Sequence, residues 1–245
     1  MMGRIVTKVV LALFLFASSV SFAQKVNIED LPSSGGVTNC NLSQWCWEHD
    51  LGTPGESAGN SWLYGPFRRF DVVWKAYGGE RFHVDLGASK QNSLYTTFTV
   101  DTWIYFNKMA NVNNIELDMN QVIPDGDTVI FGMQCNFPRG IWQYTTNVSG
   151  NPHWNDSNVA CSRKWWTEAL WHHVILRYHR DSVGNVAYDW VNFDTKVANF
   201  VGAYGPSNFR LGWEIGRQVA NFQIDGNGTF SGTSAFLHSF TVTGQ

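Results

Sequence analysis

The stretch NIELDMNQV, residues 114–122, alternates apolar Ile115, Leu117 and Met119 with polar Glu116, Asp118 and Asn120. Period-two alternation marks a half-buried β-strand, because successive side chains leave a pleated strand on opposite faces. The apolar set therefore belongs between two sheets, and the polar set faces a concave surface or solvent. Strands are depleted in acidic residues, so two carboxylates sharing one face call for water or chemistry around them.

Similar runs recur along the chain: ERFHVDL (80–86), LYTTFTVDTWIYF (94–106), DTVIFGMQ (127–134), HHVILRYH (172–179), VAYDWVNF (186–193), NFRLGW (208–213), VANFQI (219–224) and SAFLHSFTV (234–242). Turn-forming clusters such as IPDGD, DSVGN, GPSN and DGNG separate them, and no segment after the leader holds a helical apolar period. Many short strands without helices predict an all-β, two-sheet antiparallel sandwich. Two Gly-, Ser- and Trp-rich excursions interrupt the pattern. Residues 35–67 read as a strand and a long surface loop, and residues 136–168 as a loop around one strand, GIWQYTT.

Arg4 and Lys8 precede the apolar run VVLALFLF and small residues ending in SFA, which is the layout of a secretory signal peptide cleaved after Ala23. Its apolar core is shorter than the roughly 20 residues a membrane-spanning helix needs. Cleavage removes two basic residues and no acidic one, so the formal charge moves from −3 to −5. No basic patch is left to recruit nucleic acid or an anionic membrane. The expectation is a soluble exported protein, periplasmic or extracellular, with residues 24–245 forming one domain.

Four cysteines, Cys40, Cys46, Cys135 and Cys161, make an even number in a compartment where disulfides persist. Their separations favour Cys40 with Cys46 in a tight loop and Cys135 with Cys161 across the second excursion. No Cys-x-x-Cys pair and no His at ligand spacing points to a metal. Tryptophan numbers 12, and aromatic residues make up 15% of the chain. Part of this is core. Trp45, Trp47, Trp142 and Trp154 fall in the loop-like excursions, where a flat ring either anchors the loop or stacks against the C–H face of a sugar.

Together, IELDMNQV, TVIFGMQCN, WHHVILRYHRDSVGNVAYDWVNFD and NFQIDGNGTFSGTSAFLHSFTV resemble the concanavalin A-like lectin and glucanase superfamily, from about Trp45 to Val242. Within it they look like secreted bacterial proteins common in acidobacteria. The resemblance implies a jelly roll of two curved antiparallel sheets whose concave face and rim loops meet carbohydrate. Trp-His-His-Val is similar to the laminin G-like pattern, in which a Trp precedes a core strand. That makes His172 and His173 framework residues, one pointing inward and one outward.

The acidic strand is similar to the glucanase pattern Glu-x-Asp-x-Glu, or Glu-x-Asp-x-x-Glu where a bulge intervenes. Glu116 then matches the nucleophile and Asp118 the central helper. The acid/base position falls on Asn120 or Gln121, whose amides cannot protonate a leaving oxygen. Glu116 and Asp118 can form their own catalytic pair only if burial and repulsion raise one pKa. Lyase chemistry would draw on His83, His153, Tyr144, Asn120, Gln121 and Arg139, which show no motif spacing. A hydrated outer face paired with basic neighbours is the plainest alternative.

The reading is a carbohydrate-binding protein in which Glu116, Asp118, Asn120, Gln121 and His153 line a groove and Trp45, Trp47, Trp142 and Trp154 serve as platforms. A hydrolase or lyase with Glu116 and Asp118 at its active site comes second, and an interaction module without a glycan third. No cofactor is expected. A structural Ca²⁺ is implied only by the resemblance, with oxygen donors at Asp50, Glu56, Asn60, Asp225 and Asn227; DGNG reads better as a tight turn.

Overall fold

The computed structural model describes residues 24–34, 40–228 and 231–245, so the leader stretch lies outside the described residues. The first part of the chain forms β1 (Gln24–Asn27), β2 (Trp45–His49), β3 (Glu56–Tyr64), β4 (Phe67–Lys75) and β5 (Gly78–Ala88). The middle supplies β6 (Thr97–Phe106), β7 (Val112–Val122), β8 (Thr128–Asn136), β9 (Ile141–Val148) and β10 (Asn151–Ala160). The last part supplies β11 (Trp171–Arg180), β12 (Asn185–Phe193), β13 (Lys196–Asn199) and β14 (Tyr204–Pro206), then β15 (Asn208–Phe209), β16 (Arg217–Gly226) and β17 (Ser231–Gly244).

The strands make two antiparallel sheets stacked as a jelly-roll sandwich. One runs β13-β12-β11-β6-β17-β4-β3, with β1 and β14 at its margins, and the other β10-β9-β8-β7-β16-β5-β2, with β15 on β8. Late strands are interleaved with early ones: β16 sits between β7 and β5, and β17 between β6 and β4. The two last strands, β16 and β17, thus lie inside the two sheets and join early segments to middle ones.

Alternation builds the core as expected. Ile115, Leu117 and Met119 of β7 meet Phe131 and Met133 of β8 and Phe222 and Ile224 of β16, all essentially free of solvent. The opposite sheet answers with Phe70, Val72, Phe98, Val100, Leu176 and Tyr178. Each fully buried side chain of this size contributes about 1.5–3 kcal/mol relative to exposure. His172 points inward and is bonded to Asp194 (3.1 Å), while His173 points outward, stacked on Trp103 and 2.7 Å from Asp101.

Both disulfides pair as the spacing suggested, Cys40 with Cys46 and Cys135 with Cys161. The two excursions differ from expectation. Residues 35–67 contain β2 and β3, and residues 136–168 contain the β9–β10 hairpin, which widens the second sheet instead of looping over it. The run at 208–213 pairs only at Asn208 and Phe209.

Candidate functional site

The outer face of the β7 sheet carries a hollow of about 580 Å³, inside the ~300–1,000 Å³ range of ligand pockets. Its floor is polar because residues of equal parity on neighbouring strands fall in register. One row crosses all seven strands: Glu48, Arg81, Gln223, Glu116, Gln134, Gln143 and Asp156. Gln134 Nε2 donates to Gln143 Oε1 (2.7 Å), and Gln143 Nε2 donates to Asp156 Oδ1 (2.7 Å). At the ends of the row Arg81 is ion-paired with Glu48, and Asp156 with Arg139.

Three carboxylates gather at the centre around one amide. Gln223 Nε2 lies 2.9 Å from Asp225 Oδ1, 3.2 Å from Glu116 Oε1 and 3.3 Å from Asp50 Oδ2. Asp50 is brought in by the turn after β2: its N–H donates to Gly79 O (2.9 Å), and Thr53 Oγ1 accepts from Gly79 N–H (2.9 Å). On the far side of Asp225, Tyr77 Oη donates to Oδ2 (3.2 Å), and Asn114 Nδ2 reaches both groups at 3.0 Å. Asp118 stands on the same face of β7 and accepts from Met133 N–H (3.2 Å).

The second row runs through Asn221, Asp118 and Gly132 toward Thr145 and Trp154. Gly132 admits the Thr145 side chain there, since a Cβ would stand 2.4 Å from Thr145 Oγ1. Trp154 and Pro152 form the wall beyond it.

Burial dominates the electrostatics. It raises Glu116 well above the usual carboxylate range, reinforced by Asp225, Asp118 and Asp50. Asp118 is pushed up to about 7, chiefly by burial, against the opposing Met133 amide and Arg81. Asp225 rises to about 6 for the same primary reason, with the Asn114 and Gln223 hydrogen bonds opposing. Burial, aided by Asp225, also raises the Tyr77 phenol. Both arginines near the hollow are already paired, so the cluster holds protons that an exposed set would have lost.

The floor also offers unanswered acceptors. Asn114 Oδ1, Asn120 Oδ1 and Gln134 Oε1 are buried without a hydrogen-bond partner among the described residues. Buried carbonyl oxygens in this state are matched by a donor from outside the chain, such as water or a hydroxyl-bearing ligand.

Of the residues singled out in the sequence, Glu116, Asp118, Asn120 and Trp154 meet in the hollow. Gln121 does not. It is fully buried on the core side, donating to Asn92 O (2.6 Å) and Tyr95 O (2.8 Å) and accepting from Arg180 Nε (2.8 Å). Trp45 is also core, with its Nε1–H on Ile28 O (2.7 Å) and its ring edge-on to Phe70. Trp47 packs against the same core, and Trp142 is buried on the inner side of β9. Trp45 and Trp142 occupy buried inward positions of their strands, and Trp47 packs against the core from a partly exposed position outside the hollow. His153 is exposed on β10 and does not line the hollow.

The lyase set is likewise not assembled. His83 sits beside the Cys40–Cys46 bridge (3.7 Å to Cys40 Sγ) in a separate depression, and Tyr144 packs on Tyr188. Among the oxygen donors considered for calcium, Asp50 and Asp225 enter the hollow, whereas Glu56 pairs with Lys75 on β4. Among the described residues, the only three His, Cys, Asp or Glu groups with ligand atoms within 4.8 Å of one another are Cys40, Cys46 and His83, whose thiols are spent in the disulfide. Sequence reading missed Gln223, Gln134, Gln143, Tyr77 and Arg81, and it placed Asp225 in a turn.

No protein-family model matches the chain, and comparison with curated proteins finds no match either. Solved structures are similar to the chain at low identity. The carbohydrate recognition domain of Emp47p is 11% identical with a TM-score of 0.43, over 93% of this chain and 96% of that one. A carbohydrate-binding module of the β-sandwich superfamily is 7% identical with a TM-score of 0.39, over 86% and 62%. The binding domain of botulinum neurotoxin DC is 14% identical with a TM-score of 0.42, over 88% of this chain but only 48% of that one, so the chain spans about half its length.

Proposed function

We propose that this is an exported glycan-binding protein whose hollow receives a segment of a neutral polysaccharide. The observation that carries the reading is the set of buried acceptors without partners, Asn114 Oδ1, Asn120 Oδ1 and Gln134 Oε1, beside the Glu116 and Asp118 carboxyls. These acceptors call for hydrogen-bond donors from a ligand, which the hydroxyl groups of a sugar supply. An anionic sugar meets Asp50, Glu116, Asp118 and Asp225 with no uncommitted cation, and is disfavoured. Trp154 supplies a ring at one wall for a C–H face to stack on. Export is supported by the charged-then-apolar leader and by two disulfides.

Affinity electrophoresis of the mature chain through gels containing neutral or acidic polysaccharides tests this reading. Retardation by a neutral polymer is expected to weaken on Asn120→Ala. Retardation by acidic polymers alone would refute the proposal.

One observation favours hydrolysis as a second reading. Glu116, Asp118 and Asp225 share one buried face on which burial raises all three carboxyls, Glu116 well above the usual range, so a protonated and an ionised carboxyl side by side are available there even though position 120 is an amide. Release of reducing ends from a bound polysaccharide, lost in Glu116→Gln, would establish it; binding without release leaves recognition as the role.

A further inference from the structure

The solvent side of the opposite sheet carries an aromatic depression that the hollow does not explain. Tyr64, Phe67, Tyr105, Trp171 and Phe236, drawn from five adjacent strands, line a cavity of about 320 Å³. Their rings touch in a chain: Tyr64 to Phe236 at 5.8 Å, Phe236 to Tyr105 at 5.4 Å, Tyr105 to Trp171 at 5.5 Å and Trp171 to Phe67 at 4.8 Å. The outer side of a sheet is ordinarily polar, and a rimmed aromatic patch there marks a binding site.

The polar groups at the rim decide what it binds. Arg69 is held over the Tyr64, Phe236 and Trp62 rings and is ion-paired with Asp71 (2.9 Å), which also accepts from Ser234 Oγ. Its charge is cancelled locally, so the pocket has no attraction for an anion. Asn107 Oδ1 accepts from Ser234 N–H (2.7 Å) and Thr233 Oγ1 (3.0 Å), which fixes the amide plane and leaves Nδ2 without an acceptor among the described residues. The Tyr64 and Tyr105 hydroxyls are likewise unbonded among the described residues. Apolar rings below, a fixed neutral donor and two phenols around the edge, and no net charge are complementary to a pyranose, which has an apolar C–H face and a girdle of hydroxyls.

We infer that this depression is a second glycan site, for one ring of a neutral sugar, on the face opposite the hollow. The site is independent of the hollow, and a protein with both faces occupied bridges two polysaccharide strands.

The test uses the mature chain in native gels containing β-glucan, xyloglucan, galactomannan or mannan, with sedimentation run in parallel. Tyr64 is 55% exposed, so its truncation leaves the core intact; Asn107→Asp keeps the acceptor oxygen for Ser234 and Thr233, removes the donor and adds a negative charge to the rim. Both Tyr64→Ala/Phe236→Ala and Asn107→Asp are expected to weaken binding to at least one polymer tenfold or more, with unchanged circular dichroism. Trp154→Ala, which alters only the hollow, is expected to leave that component in place. Unchanged migration of both variants in every gel overturns the inference, as does a wild-type dimer that Tyr64→Ala/Phe236→Ala dissociates. Total loss of binding in Trp154→Ala would do so too while sparing the hollow.

Discussion

Gly79 and Asp225 face each other across β5 and β16 with no room for a methyl group between them: a Cβ on Gly79 would lie 2.2 Å from Asp225 Oδ1. The glycine is what lets the carboxylate lean back under Gln223 and Tyr77. Gly79→Ala is expected to displace Asp225 and cost about 1–3 kcal/mol, the range for overpacking a tight site. Thermal unfolding reads the loss as a drop in Tm of several degrees, and glycan binding in the hollow should weaken with it.

Asp118 gives a pH signature. Its folded pKa of about 7 lies above the unfolded carboxylate value, so the native state binds the proton more tightly. Stability from this group is full below about pH 4, declines as pH rises toward 7 and stays reduced above it. Asp118→Asn keeps the oxygen that accepts from Met133 and removes the charge. It is expected to raise Tm at pH 8, by an amount corresponding to about 1–3 kcal/mol, and to change little at pH 4. A variant equally shifted at both pH values would show that charge is not the cause.

Two tryptophans on one hairpin should fail differently. Trp142 is 2% exposed, so Trp142→Ala opens a cavity and costs about 3–5 kcal/mol of stability. Trp154 lines the hollow and lies partly open, so Trp154→Ala should retain Tm within about 1 kcal/mol and lose affinity by roughly tenfold or more, as expected of a stacking anchor. Paired melting and gel-retardation measurements separate the two.

The disulfides are predicted to contribute unequally. The Cys135–Cys161 bridge closes a segment of separation 26 and the Cys40–Cys46 bridge one of separation 6. Loop-closure entropy gives the longer one about 1 kcal/mol more. Cys135→Ser/Cys161→Ser should therefore melt at a lower temperature than Cys40→Ser/Cys46→Ser; the reverse order would place the main effect in local packing.

Much of the sandwich can be read directly from alternation. In β7, Ile115, Leu117 and Met119 announce the core, and the same parity assigns Gln121 to it; only the bulged version of the glucanase pattern moves Gln121 outward. The ladder with β16 runs without a shift from Asn114 to Gln121, so parity wins. Trp45 and Trp47 were misread because Gly and Ser around a short strand mask a period of two. Gln223, Gln134 and Gln143 escaped notice for a different reason. Each is an ordinary outward strand residue, and what makes it part of a site is inter-strand register, which depends on pairings between segments as far apart in sequence as Arg81 and Gln223. Asp225 was hidden by DGNG, whose first two residues, Asp225 and Gly226, are still paired within β16.

The ion pairs that end the seven-strand row also stand at the rims of that layer, Glu48 on β2 and Asp156 on β10. Unpaired backbone along such margins invites another molecule's strand to dock, and charged side chains, together with Pro152 on β10, oppose that. In a protein this rich in extended backbone these charges oppose edge-to-edge association, and neutralising Arg81 and Arg139 together is expected to bring fibrillar aggregation at concentrations where the parent chain stays dispersed.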